Sequence, residues 1–195
     1  MQNKTGLIFT ITLLTTLAYS ITSNAEDVTD PQFSDYQTKV STGPFAKKII
    51  LSNQQKEFSP KWKKAVQSEL NKPVNFAGHY RLYTNFGGQG KECFRDSWVC
   101  GWVIDKFSGE IVSNLPKDDD GSDIYAGTGD NGTPVGIPFE IDAYKDSSMV
   151  VITGQAIPAS KDPHDNPICK SAVFKFDNNK FIKLTESVDG CKIDE

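Results

Sequence analysis

Three times in the second half of this chain, a run of strand-forming residues breaks at a short polar turn and then resumes. Trp98 to Ile104 and Ile111-Val112 flank Asp105-Lys106-Phe107-Ser108-Gly109-Glu110. Phe139 to Tyr144 and Met149 to Ile152 flank Lys145-Asp146-Ser147-Ser148, and Ala172 to Phe176 and Phe181 to Leu184 flank Asp177-Asn178-Asn179-Lys180. Asp and Asn bond their own backbone in such turns and Gly supplies positive φ, so each unit reads as a β-hairpin. The turns recur about 39 and then about 32 residues apart without a shared signature, which falls short of a repeat. The expectation is a mainly β fold, an antiparallel meander of hairpins arranged as a sandwich or in a propeller-like way.

The front of the chain is different. Ser59-Pro60 is a helix start, with Ser to cap free amides and Pro preorganised for the first turn. Trp62, Ala65, Val66 and Leu70 then share one face of a helix predicted to run to Asn71, with Lys63, Lys64, Gln67 and Glu69 on the wet side. Pro73 stops it. Between Glu26 and Asn53 the chain is polar and irregular, with one apolar segment, Ile49-Ile50-Leu51, suited to an edge strand. Asn75 to Phe86 is dense in strand formers and ends in Gly87-Gly88-Gln89-Gly90.

The first 25 residues have the pattern of a signal peptide: Lys4, an uncharged run from Gly6 to Ala18, then Ser23-Asn24-Ala25 with small residues three and one before the cut. The apolar run is too short to span a bilayer, and no cysteine lies near Ala25 to take a lipid, so no membrane anchor is expected. The mature chain would be one domain, residues 26–195, in the periplasm. In that oxidising compartment the four cysteines are expected to form two disulfides. Local spacing favours Cys93 with Cys100 and Cys169 with Cys191, which chain entropy values at roughly 2.5 and 3.4 kcal/mol. A bonded cysteine is no nucleophile.

The net charge is −4 over the whole chain and near −5 once the leader, with its single Lys, is removed. Phosphate recognition needs clustered Lys and Arg, so the dispersed basic residues give no support to nucleic acid as a partner. Lys61, Lys63 and Lys64 are the exposed side of the helix.

No stretch carries a catalytic signature. Gly87 to Lys91 departs from the phosphate-binding loop, with Asn85 where Gly belongs and Glu92 where Ser or Thr belongs. Asp118-Asp119-Asp120-Gly121-Ser122-Asp123 is rich in oxygen ligands. Its register is wrong for a calcium loop, because aligning Gly121 with that loop's glycine puts Pro116 at the first ligand position and Gly127 at the last. The only histidines, His79 and His164, cannot build a three-histidine zinc site. There is no Gly-x-Ser-x-Gly elbow and no helix-starting Ser-x-x-Lys. No cofactor, metal or catalytic residue is assigned.

Asn75-Phe76-Ala77-Gly78-His79-Tyr80 resembles a strand found in a group of small exported proteins of Gram-negative bacteria. There it leads through a Gly and Cys loop to a strand ending in an Asp-x-x-x-Gly turn. Cys93, Cys100 and Trp102-Val103-Ile104-Asp105-Lys106-Phe107-Ser108-Gly109 follow that order here, with an insertion from Lys91 to Val99. The resemblance covers about 40 residues and implies a periplasmic β domain, with no reaction attached.

The functional expectation is a binding or inhibitor protein that presents loops 86–99 and 117–132 to a protein partner, of the immunity type that would block a wall-degrading enzyme. The contact residues expected are Gly88, Gln89, Lys91, Arg95, Asp118, Asp119 and Asp120. The alternative is a hydrolase of wall or glycan material, using an acid pair or His79. A carrier of a small ligand is a third class, and would need an apolar pocket.

Overall fold

The computed structural model of the protein describes residues 30–87, 90–93, 98–117, 122–127, 139–157 and 169–187. From Pro31 onward these residues belong to one compact unit, Pro31–Glu195. Among them, no helix is long and apolar enough to cross a membrane.

Among the described residues, eight strands form two four-stranded antiparallel sheets. The first holds β1 (Tyr80–Phe86), β2 (Trp98–Asp105), β3 (Ile111–Asn114) and β4 (Tyr125–Ala126). β2 is its spine, paired with β1 on one side and with both β3 and β4 on the other. The second sheet is a meander of β5 (Glu140–Ala143), β6 (Met149–Gln155), β7 (Cys169–Asp177) and β8 (Lys180–Ser187). All three expected hairpins are present. In the last, Asn178 and Asn179 hold φ of 49° and 63°, the left-handed pair that a two-residue turn requires.

The alternation of β2 places it between two cores. Val99 and Val103 face the second sheet and pack with Val150, Ile152, Phe174 and Phe176. Cys100, Trp102 and Ile104 face the other way, beneath a helix, against Trp62, Val66 and Leu70. The layers are therefore helix, sheet and sheet. At one end the Tyr125↔Ala156 bridge, with the Ile157 N–H donating to the Ile124 carbonyl at 2.8 Å, links the two sheets directly.

Helix α1 (Pro60–Leu70) begins and ends as its sequence predicts, with Asn71 as its C-cap. The Ser59 hydroxyl accepts from the Trp62 N–H at 3.1 Å. Glu69 is not on the wet side as expected: it is 7% exposed. A carboxylate tolerates this only when paired. Arg81 Nε reaches its Oε2 at 2.8 Å and Lys72 Nζ its Oε1 at 2.5 Å.

Asn75 to His79 also departs from the expected strand, which starts only at Tyr80. Ala77 and Gly78 adopt φ of 44° and 84°, turning the chain tightly so that Phe76 pairs with Tyr80. A Cβ on Gly78 would lie 2.8 Å from the Lys39 carbonyl oxygen. Gly78 N–H donates to the Lys145 carbonyl at 2.7 Å and its own carbonyl accepts from Ser41 at 2.8 Å, so the turn joins both sheets and the lead segment. Phe76 is fully buried between the sheets. The lead segment is held at Ser147, whose Oγ donates to the Phe33 and Tyr36 carbonyls at 3.0 and 3.3 Å and whose backbone makes an isolated antiparallel bridge with Gln37. Ile50 makes a single parallel bridge with Glu110 in place of an edge strand.

Cys93 and Cys100 are disulfide-bonded, with Cα atoms 6.1 Å apart. Cys169 is not a free thiol. Its expected partner Cys191 lies outside the described residues.

Candidate functional site

Glu92 is the residue around which a site assembles. It follows the glycine loop, and its carboxylate folds back onto the start of α1, accepting from the Ser59 N–H at 3.1 Å and, by a short contact, from the Ser59 hydroxyl. A negative group at a helix N-terminus meets free amides and the positive end of the dipole. Burial works against ionisation of Glu92, but these donors, its own backbone amide and the charge of Lys63 outweigh it and hold the carboxyl below its ordinary value. A Cβ on Gly90 would stand directly in the seat of that carboxylate, so a larger residue there would push the Glu92 side chain off Ser59. The Cys93–Cys100 bond then ties the loop to the middle of β2.

Two hollows meet at Glu92. A cleft of about 390 Å³ opens between the first half of α1 and the end of β1, with Trp62, Ala65 and Phe86 as apolar wall and Lys61, Asn85 and Glu92 as polar rim. Phe86 is 65% exposed. Trp62 is buried, and its indole N–H has no acceptor among the described residues. The second hollow, about 160 Å³, is lined by Lys91 and Glu92 on one side and by Asn114 and Asp123 on the other. Lys91 Nζ pairs with Glu57 Oε2 at 2.6 Å, which draws the Glu57 carboxyl below its ordinary value. Asn114 Nδ2 donates to Asp123 Oδ2 at 2.9 Å.

Of the contact residues expected from sequence, Lys91 lies on this face. Gly88, Gln89, Arg95, Asp118, Asp119 and Asp120 lie outside the described residues. The feet of both expected loops are described, and Lys91 from one and Asp123 from the other line the same hollow. Phe86 and Glu92 fall within the expected loop 86–99 but were not among the expected contact residues, and Lys61 lay outside both loops. Only the cap position Ser59, which wants an acceptor nearby, hinted at Glu92.

The alternative hydrolase reading places an acid pair or His79 at its centre. His79 Nε2 is 3.7 Å from Asp105 Oδ1, beyond hydrogen-bond reach, and its ring stacks on Phe107 with centroids 4.5 Å apart. Asp105 is already engaged by its turn, accepting from the Phe107 N–H at 2.8 Å and from Ser108 Oγ at 3.1 Å. Burial lowers the His79 pKa and Asp105 partly restores it. His164 lies outside the described residues, and among the described residues no three His, Cys, Asp or Glu side chains gather as a metal site.

No family model, curated protein or solved structure matches the chain.

Proposed function

We propose that the protein is an exported binding protein that engages another protein through the face centred on Glu92, and that it acts as an immunity-type inhibitor of a wall-degrading enzyme. The observation that carries this reading is the convergence of two loop feet and an exposed aromatic on one fastened surface. Phe86, Lys61, Lys91 and Asp123 surround adjoining hollows whose shared wall is locked by a disulfide and a helix cap. An apolar centre with a charged rim on a preorganised backbone is the anatomy of a recognition patch, and pre-ordering lowers the entropy lost on association.

The leader-like first 25 residues support export to the periplasm, where a wall-degrading enzyme would be met.

The test compares wild type with a Lys61→Glu, Phe86→Ser double variant as baits in periplasmic extract, followed by titration of the bait against a muramidase clearing a peptidoglycan suspension. Wild type should retain a protein that the variant loses, and should slow clearing. Equal retention by both baits would remove the Glu92 face as the contact surface. Undiminished clearing would remove the inhibitor role.

A further inference from the structure

Among the described residues, the outer edge of β1 is covered along half its length and open along the rest. Odd-numbered residues of β1 bond inward to β2, a pattern continued by the Gly87 N–H donating to the Trp98 carbonyl at 2.7 Å. Even-numbered residues therefore direct their N–H and C=O outward. At Tyr80 these groups meet Phe76: the Tyr80 N–H donates to the Phe76 carbonyl at 3.0 Å, and its carbonyl accepts from the Phe76 N–H at 3.2 Å. At Leu82 they meet a side chain, since Asn75 Nδ2 donates to the Leu82 carbonyl at 2.9 Å and Oδ1 accepts from the Leu82 N–H at 2.8 Å. Asn75 thus stands in for one residue of a neighbouring strand. Thr84 and Phe86 are the next two outward positions, and among the described residues no partner covers their backbone.

Resting on the protein-binding reading above, we propose that Thr84 to Phe86 pairs with an extended segment of the partner protein, which adds as a further strand to the first sheet. The cleft beside α1 fixes what that segment carries. Leu82 faces the core between the sheets and Tyr83 the helix side, so strand residues set opposite Tyr83 and Asn85 would enter the cleft. Its wall is apolar at Trp62, Ala65 and Phe86, while Lys61 is exposed at the rim and makes no ion pair among the described residues. The complementary segment has an apolar residue for the cleft and an acidic residue within reach of Lys61. Main-chain bonds give such a strand affinity, and the alternate side chains give it selectivity.

The probe is a phage-displayed library of random dodecapeptides selected on the whole disulfide-bonded chain, with amide exchange followed by NMR on the best binder. Enriched peptides should place an apolar residue two positions from an acid. Peptide should slow exchange at the Thr84 and Phe86 amides by at least about tenfold, and Lys61→Glu should weaken binding by about tenfold. Thr84→Pro removes an N–H that meets no partner among the described residues, which an edge strand tolerates. It should fold yet lose the peptide, whereas Thr84→Val should keep it. Should Thr84→Pro fail to fold, the exchange data decide alone. Peptides that bind, and are displaced by Lys61 and Phe86 substitutions, without protecting Thr84 and Phe86 would overturn strand addition and leave the protein-binding reading intact. A library yielding no binder, or protection of the two amides in a dimer without peptide, would overturn it too. The second result assigns the edge to another copy of the chain.

Discussion

The side-chain ammonium of Lys106 sits beneath the last turn of α1, donating to the carbonyl of Leu70 through a short contact and to that of Lys72 at 2.6 Å. Lys106 is 3% exposed although it belongs to a hairpin turn. The final carbonyls of a helix lack intrahelical donors, and this lysine supplies them from another element. Its Nζ also lies 5.0 Å from the centroid of the Phe45 ring. Replacing it with an apolar residue of similar length leaves the buried Leu70 carbonyl without this donor and removes the bond to the Lys72 carbonyl. Lys106→Met should cost about 1–3 kcal/mol, read as a lower urea midpoint at unchanged slope.

Burial also lowers the Lys106 pKa, with the nearby charge of Arg81 acting in the same direction. The folded protein therefore binds this proton less tightly than the unfolded chain, so between the lowered value and the ordinary one near 10.5 stability should rise with pH. Urea midpoints measured across that interval should climb in wild type more steeply than in Lys106→Met.

His79 gives the corresponding effect at acid pH. Its folded pKa lies below the ordinary 6.5, so on acidification the unfolded chain takes up the proton first. The stabilisation is complete above about pH 6.5 and is lost as pH falls from there through the folded value. Wild type should lose stability over that interval relative to His79→Gln, which does not titrate. Parallel curves for the two proteins would contradict this.

The hairpins, the helix and its cap were legible because each rests on residues close in sequence. Ser59 lies three residues before the amide it caps, and Asn178-Asn179 carries its turn chemistry in its own side chains. The misread places are set by distant partners. Glu69 is buried because Arg81 reaches it, and Glu92 finds Ser59 across 33 positions. Asn75 to His79 reads as strand because nothing in the side chain of Ala77 announces a φ of 44°. Lys91 and Asp123, one from each expected contact loop, line one hollow, but Phe86 and Lys61 become one surface only after α1 packs over β1.

Asn75 provides a stability test of the strand edge. Asn75→Leu keeps the side-chain size and removes both bonds to Leu82, whose side chain is buried. The expected loss is about 1–3 kcal/mol. Exchange of the Leu82 amide should accelerate in the variant before global unfolding does.

Gly109 tests the hairpin at the other end of the same sheet. Its φ is 80°, and a Cβ would press directly on the Lys48 carbonyl oxygen in the strap that bridges to Glu110. Gly109→Ala should destabilise by about 2–3 kcal/mol through backbone strain and the displaced strap. A thermal midpoint unchanged from wild type would show that the strap yields freely.

Because β2 supplies one wall to each hydrophobic cluster, neither can dissolve while the other stays intact: losing Val99 and Val103 from one side frees Cys100, Trp102 and Ile104 on the other. Tryptophan emission, which senses the helix side through Trp62 and Trp102, and far-ultraviolet ellipticity, dominated by both sheets, should therefore trace one coincident melting curve.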